Sequence, residues 1–181
     1  MPEENCKVLI LGLGNDILTD DAVGLHVVRQ LRERWAGDPR IEVCETMEMG
    51  LALLDFFVGR RAVILVDSIQ TGRVPPGTIH EVDANGLKQL TGRTPHFLGV
   101  GETLALGRRL ELPMPESVRI LAVEVEDPFT LGTEMTPVVQ QAVPGVLTRL
   151  HALIRELEPE LGSSSQADQR KLRGDVKRSR A

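Results

Sequence analysis

With 181 residues, 41% of them hydrophobic and only 3% aromatic, the chain has the size of one domain whose core can form without metal or disulfide staples. Its net charge of −5 gives general nucleic-acid binding no electrostatic footprint, and two cysteines, Cys6 and Cys44, exclude a disulfide scaffold and suit a reduced, cytoplasmic chain. The longest apolar stretches, Lys7 to Gly14 and Ala62 to Val66, fall far short of the roughly 20 residues that span a bilayer, and Met1 to Asn5, with two glutamates, is not expected to be a signal peptide.

Lys7 to Leu11 (KVLIL) predicts a strand buried on both faces, as in parallel sheets. Val23, Val27, Leu31 and Trp35, with Val28 alongside, predict a helix over Asp20 to Trp35, capped by Thr19 or Asp20. Ile41 to Glu45 reads as a second strand and Leu51 to Val58 as a short helix. Ala62 to Val66 (AVILV), ending at Asp67, is a third strand, and Thr78 to Val82 a fourth after the turn-like Val-Pro-Pro-Gly. Gly99 to Leu110 is helix-like despite three glycines, and Val118 to Val125 is a late strand. The last periodic segment runs from Thr136 to about Leu161, with a kink or restart expected at Pro144. Strands alternating with helices at this spacing predict an α/β fold: a three-layer α/β/α sandwich around a mostly parallel sheet of about five strands. Residues 1–161 form the expected domain. From Gly162 to Ala181 the chain has six basic and two acidic residues, a tail of +4 against −9 for the rest, expected to be disordered. A monomer without membrane or nucleic-acid partners is expected.

In such a sheet, chemistry sits beyond the carboxyl ends of the strands. Three segments fall there: Gly12 to Asp21, Asp67 to Gly72, and the loop around His96. The first, extended to Gly24, reads GLGNDILTDDAVG. Its Gly-x-Gly invites a dinucleotide reading, with Glu45 as the ribose acid. The third glycine of that fingerprint would fall at Ile17, however, and two carboxylates at the helix start would repel a pyrophosphate. Either Asp20 or Asp21 could simply complement the helix dipole. Asp67 ends a wholly apolar strand, where a carboxylate is partly desolvated and needs a partner. His96 lies in Thr-Pro-His-Phe-Leu-Gly; His26, His80 and His151 lack neighbours at metal spacing and read as structural. No Gly-x-Ser-x-Gly elbow, Walker loop or His-Glu-x-x-His helix is present, and Cys6, before a strand, and Cys44, within one, read as small core residues rather than nucleophiles. What remains is a pair of carboxylates and one imidazole, an incomplete ligand set for a divalent ion.

The run Ile10 to Gly24, the strand aspartate of Leu65-Val66-Asp67 and the Thr94-Pro95-His96 triplet resemble the maturation endopeptidases of nickel-iron hydrogenases. The likeness extends over residues 7–157, including Pro76-Gly77-Thr78 and Met135-Thr136-Pro137. The resemblance implies a protease that removes a C-terminal extension from the precursor of the hydrogenase large subunit once nickel has been inserted. It further implies that Asp21, Asp67 and His96 contact nickel carried by the substrate rather than a resident cofactor. Asp21 stands where the family's acid is often glutamate. Asp21 or Asp67 would orient the attacking water or take its proton, while Gly12, Gly14 and Asn15 shape the loop beneath. A non-catalytic nickel- or precursor-binding chaperone of the same fold is the alternative.

Overall fold

A computed structural model of the chain describes residues 8–83, 96 and 99–175, with 158–175 given by their backbone alone. Cys6, Thr94, Pro95, Phe97 and Leu98, named above, lie outside the described residues. The described elements, in chain order, are β1 (Val8–Leu13), α1 (Val23–Trp35), β2 (Ile41–Thr46), α2 (Leu54–Phe57), β3 (Ala62–Ile69), β4 (Ile79–Asp83), α3 (Val100–Arg109), β5 (Ser117–Glu124) and α4 (Pro137–Asp175). Short 3-10 turns precede α1 (Asp20–Ala22) and α2 (Gly50–Leu53). The chain divides into two compact units, 1–148 with all five strands and 149–181 with the later turns of α4.

The sheet has the order β2-β1-β3-β5-β4; β1, β2, β3 and β5 run parallel, and only the edge strand β4 is antiparallel. Every residue of β1 and β3 is buried, as their unbroken apolar runs require of central parallel strands. Side-chain alternation divides β3 between two layers. Leu9, Leu11, Leu13, Val63, Leu65 and Ile69 share one core with Leu53, Phe57, Val100 and Leu104 of the α2 and α3 region. Against the other face, α1 buries Val23, Val27, Val28 and Leu31 as its periodicity predicts, while Trp35, also predicted, is half-buried and Leu25 is buried as well.

Two glycines of the first motif fix how close α1 comes to the sheet. A Cβ on Gly24 would lie 2.2 Å from the Leu13 carbonyl oxygen and 2.3 Å from that of Val66; one on Gly14 would lie 2.1 Å from the Asp21 carbonyl oxygen. These obstacles are backbone, so neither can step aside as a side chain could.

The Pro76-Gly77-Thr78 piece is the corner of a turn in which Thr78 donates both its amide (3.2 Å) and its hydroxyl (2.6 Å) to the Pro75 carbonyl, with Gly77 at φ 87°. The loop before it is held by Glu124 at the end of β5. That buried carboxylate accepts from the amides of Thr71 and Gly72 and the Thr71 hydroxyl, each at 2.8 Å, and lies 3.0 Å from His80 Nε2. Burial works against its charge, but the Gly72 amide, His80 and Thr71 outweigh it and hold the carboxyl below the usual glutamate range.

Of the kink or restart expected at Pro144, the restart does not occur: α4 runs continuously through Pro144, with Pro144 and Gln140 both exposed and the Thr148 hydroxyl donating to the Pro144 carbonyl at 2.9 Å. From Gly162 to Asp175 the backbone is described as a continuation of this helix. Residues 176–181 lie outside the described residues.

Gly24→Ala is expected to cost about 3 kcal/mol or more in urea unfolding, because the added methyl must push α1 off two carbonyls. Glu124→Gln tests the acid limb. A carboxyl with a depressed folded pKa contributes stability above its unfolded value and loses it as pH falls through the folded one. The difference in unfolding midpoint between wild type and the variant should therefore be full at neutral pH and shrink below the ordinary glutamate range.

Candidate functional site

The β1–β3 ladder ends at Gly12↔Val66, whereas β3 continues beside β5 as far as Ile69↔Glu124. Asp67 and Ser68 therefore lack a strand neighbour on the β1 side, and the loop from Gly14 to Asp21 fills that gap. Alternation sends these two adjacent residues in opposite directions, and each meets a partner from a different helix layer. His96, near the start of α3, places Nδ1 3.3 Å from Asp67 Oδ1. Asp21, in the 3-10 turn that opens α1, accepts a 2.7 Å hydrogen bond on Oδ1 from the Ser68 hydroxyl and presents Oδ2 3.6 Å from His96 Nε2. The Ser68 amide donates to Asp67 Oδ1 at 2.8 Å. Asp21, Asp67 and His96 are all buried, at 2%, 0% and 8% exposure.

The three predicted residues thus meet, with an imidazole between two carboxylates. Burial pushes the Asp21 carboxyl above the usual aspartate range; the nearby Asp67 charge adds to the rise, and the Ser68 hydroxyl, the His96 charge and the Asn15 amide only partly offset it. At His96, burial works against the charged ring, but Asp67, by hydrogen bond and charge, and Asp21, by charge, raise it above the ordinary histidine range. Both shifts favour the protonated forms of Asp21 and His96. The trio is not a closed metal cage: each ring nitrogen already faces a carboxylate, and no preformed metal cluster of three or more His, Cys, Asp or Glu occurs among the described residues.

The neighbouring acid has another task. Asp20 Oδ1 accepts from the Thr136 amide (2.7 Å), and Oδ2 from the amides of Glu126 (3.1 Å) and Asp127 (2.8 Å) and the Thr136 hydroxyl (3.0 Å). It ties the first motif to the segment between β5 and α4, including the Met135-Thr136-Pro137 piece, with Pro137 opening α4. Thr19 does not cap α1; its hydroxyl donates to the Asp127 carbonyl. Gly14 takes its place beneath the site, and Asn15 turns the loop by accepting the Ile17 amide on its side chain at 3.2 Å.

Other candidates are otherwise engaged. Glu45, the would-be ribose acid, pairs with Arg29 at 2.8 Å and Arg32 at 3.4 Å; Arg29 also grips Asp16 through 2.8 and 2.5 Å bonds, pinning the loop to β2. Burial and the neighbouring Glu42 raise the Cys44 thiol, the opposite of an activated nucleophile. His80 serves the Glu124 node. Sequence reasoning missed Ser68 and the work of Asp20. A signal for Ser68 existed in a second polar residue next to Asp67 in an otherwise apolar strand.

The two adjacent aspartates should separate cleanly in unfolding experiments. Asp20→Asn is expected to lose about 1–3 kcal/mol, because an amide cannot satisfy so many donors. Asp21→Asn should be no less stable than wild type at neutral pH. An acid whose folded pKa is raised opposes folding above that value, and the amide removes the opposition. Denaturant melts of the two variants check both statements.

A family model described as hydrogenase maturation protease matches residues 25–152, well over half of the chain. The hydrogenase 2 maturation protease of Escherichia coli (strain K12) is 27% identical over 155 residues, covering 83% of this chain and 92% of that protein. Among solved structures, the hydrogenase maturating endopeptidase HybD from E. coli aligns with a TM-score of 0.73 at 26% identity, over 83% of this chain and 93% of that one. The NiFe hydrogenase maturation protease HybD from Thermococcus kodakarensis shares the fold at a TM-score of 0.62 and 24% identity, over 81% and 98% of the two chains. With its five-stranded sheet and helices matching theirs, the chain belongs to the hydrogenase maturation protease family.

Proposed function

We propose that the protein removes a C-terminal extension from the large-subunit precursor of a nickel-iron hydrogenase, and that it recognises nickel already seated in that substrate. The observation that carries this reading is the meeting of Asp21, Asp67 and His96, from the turn before α1, the end of β3 and the approach to α3, at the carboxyl end of the sheet. The 3.6 Å between His96 Nε2 and Asp21 Oδ2 is of the order found between two ligands held at about 2.0–2.2 Å from one metal ion. His96 Nε2 and Asp21 Oδ2 flank one position, while Asp67 holds the ring from Nδ1, as carboxylates orient metal-binding histidines elsewhere.

In this reading the substrate's nickel supplies Lewis acidity toward the scissile carbonyl or an attacking water. Asp21 or Asp67 orients that water and takes its proton as oxygen adds to the carbonyl carbon, and the proton passes to the departing amine as the C–N bond breaks. A macromolecular substrate also suits the surroundings. Ile17, Met47, Met49, Leu51, Phe129 and Leu131 are exposed on the segments that follow β1, β2 and β5, at the same end of the sheet.

Purified protein is incubated with nickel-loaded and nickel-free precursor, and the large subunit is weighed by mass spectrometry. Loss of a C-terminal peptide only in the nickel-loaded sample is expected. Stable binding with no mass loss in either sample would move the protein to the chaperone reading. Asp67→Asn should slow cleavage at least about 100-fold; an Asp67→Asn protein that cleaves at the wild-type rate would remove Asp67 from the mechanism.

A further inference from the structure

Ser68 is fully buried, its hydroxyl donates to Asp21 Oδ1 at 2.7 Å, and its amide donates to Asp67 Oδ1 at 2.8 Å. Like His96, it touches both acids, but from within β3. A buried hydroxyl costs free energy unless it is bonded, and in β3 an alanine would fill the same strand position with no polar group to satisfy. Its amide bond to Asp67 is set by the backbone, so any residue here would make it. The bond to Asp21 belongs to serine's side chain.

That side-chain bond has a directional consequence. Asp21 is short, and its carboxylate can rotate about the Cβ–Cγ bond, so either oxygen could turn toward the imidazole. By engaging Oδ1, the Ser68 hydroxyl leaves Oδ2 as the oxygen facing His96 Nε2. The register supports the same role. Ser68 pairs with Val123 of β5, one residue beyond Asp67↔Ala122 and past the end of the β1 ladder. It thus stands where the strand emerges between the two helix layers and can reach across to the turn that carries Asp21.

We propose that Ser68 is a positioning residue that orients Asp21 toward His96 and so prepares the pair to meet a metal ion. The role rests on the proposed nickel-dependent function for its purpose, but its geometry can be tested without it. A merely structural serine would fill space and satisfy itself, and its loss would lower stability without moving His96.

The test uses Ser68→Ala and Ser68→Thr in the full chain. In the metal-free protein, nitrogen-15 resonances of the His96 ring are compared with wild type. Ser68→Ala should move the Nε2 resonance, which faces Asp21, by more than that of Nδ1, which faces Asp67; Ser68→Thr, which keeps the hydroxyl, should restore the wild-type Nε2 position. An unchanged Nε2 resonance in folded Ser68→Ala overturns the proposal whatever the protein's substrate. Nickel-loaded precursor then reads the consequence. Ser68→Ala should lower kcat about tenfold or more with little change in KM, as loss of an outer-shell partner does at metal sites. A variant whose Nε2 resonance moves while kcat stays at the wild-type value also overturns it, since orientation would then not matter. If wild-type protein cleaves no precursor, the proposed function fails, and the ring resonances still decide the role of Ser68. Should Ser68→Thr prove too large to fold, the double variant Asp21→Glu with Ser68→Ala replaces it: the longer acid should recover part of the lost kcat, and full additivity of the two losses would argue against any coupling.

Discussion

The approach of the first turn of α1 to the end of β1 is the constraint on which the site depends. The Gly24 α-carbon sits so near the carbonyls of Leu13 and Val66, and Gly14 so near that of Asp21, that no side chain fits at either place. Backbone packed on backbone leaves little freedom to slide, and it delivers the Asp21 carboxylate to the end of β3 without a long, entropically costly side chain. The same contact seals the gap left where β1 stops pairing with β3, after Gly12↔Val66. Arg29 holds the outer part of this loop by joining Asp16 to Glu45, and Asp20 holds its inner part by joining it to Thr136. The site loop is thereby anchored from two sides by charge-assisted hydrogen bonds, which outperform neutral ones.

A second division of labour follows from strand periodicity. Two consecutive residues of one strand must face opposite ways, so a polar pair at the end of β3 can address two helix layers at once. Asp67 takes the histidine delivered ahead of α3, and Ser68 takes the aspartate delivered by α1. The cost of burying these groups is met by mutual pairing: each carboxylate has a donor or a cationic neighbour, and none of the three is left alone in the interior.

Much of this was legible in the sequence. The five strands and the helices after them followed from apolar periodicity, because central parallel strands and amphipathic helices leave strong, local signatures. Asp67 was visible as a carboxylate closing an apolar run, and the choice of Asp21 over Asp20 required the family resemblance. Spacing alone could not divide the two acids, since their separate tasks depend on contacts with residues more than 40 positions away, Ser68 for one and Thr136 for the other. Ser68 was missed for the same reason. Whether Pro144 ends a helix or is carried within it turns on the exposure of its surroundings, a tertiary property that apolar periodicity does not report. Beyond Gly162, composition argues against a packed core and is silent on extension of a helix nucleated upstream.

The charge state of the trio connects this geometry to the proposed chemistry. Two buried carboxyl groups beside one ring need a proton or another positive charge to offset their burial. Burial raises the Asp21 carboxyl and the two acids raise the His96 ring, so both groups hold a proton more readily than they would in water. On the proposed reading, a divalent ion brought by the substrate takes over the proton's electrostatic role in a frame already built around it. The exchange needs little rearrangement, because Ser68 and Asp67 hold the acid and the ring in place before the ion arrives. It also makes recognition conditional, since a precursor without its metal offers nothing to replace the proton, and the trio then remains paired with itself.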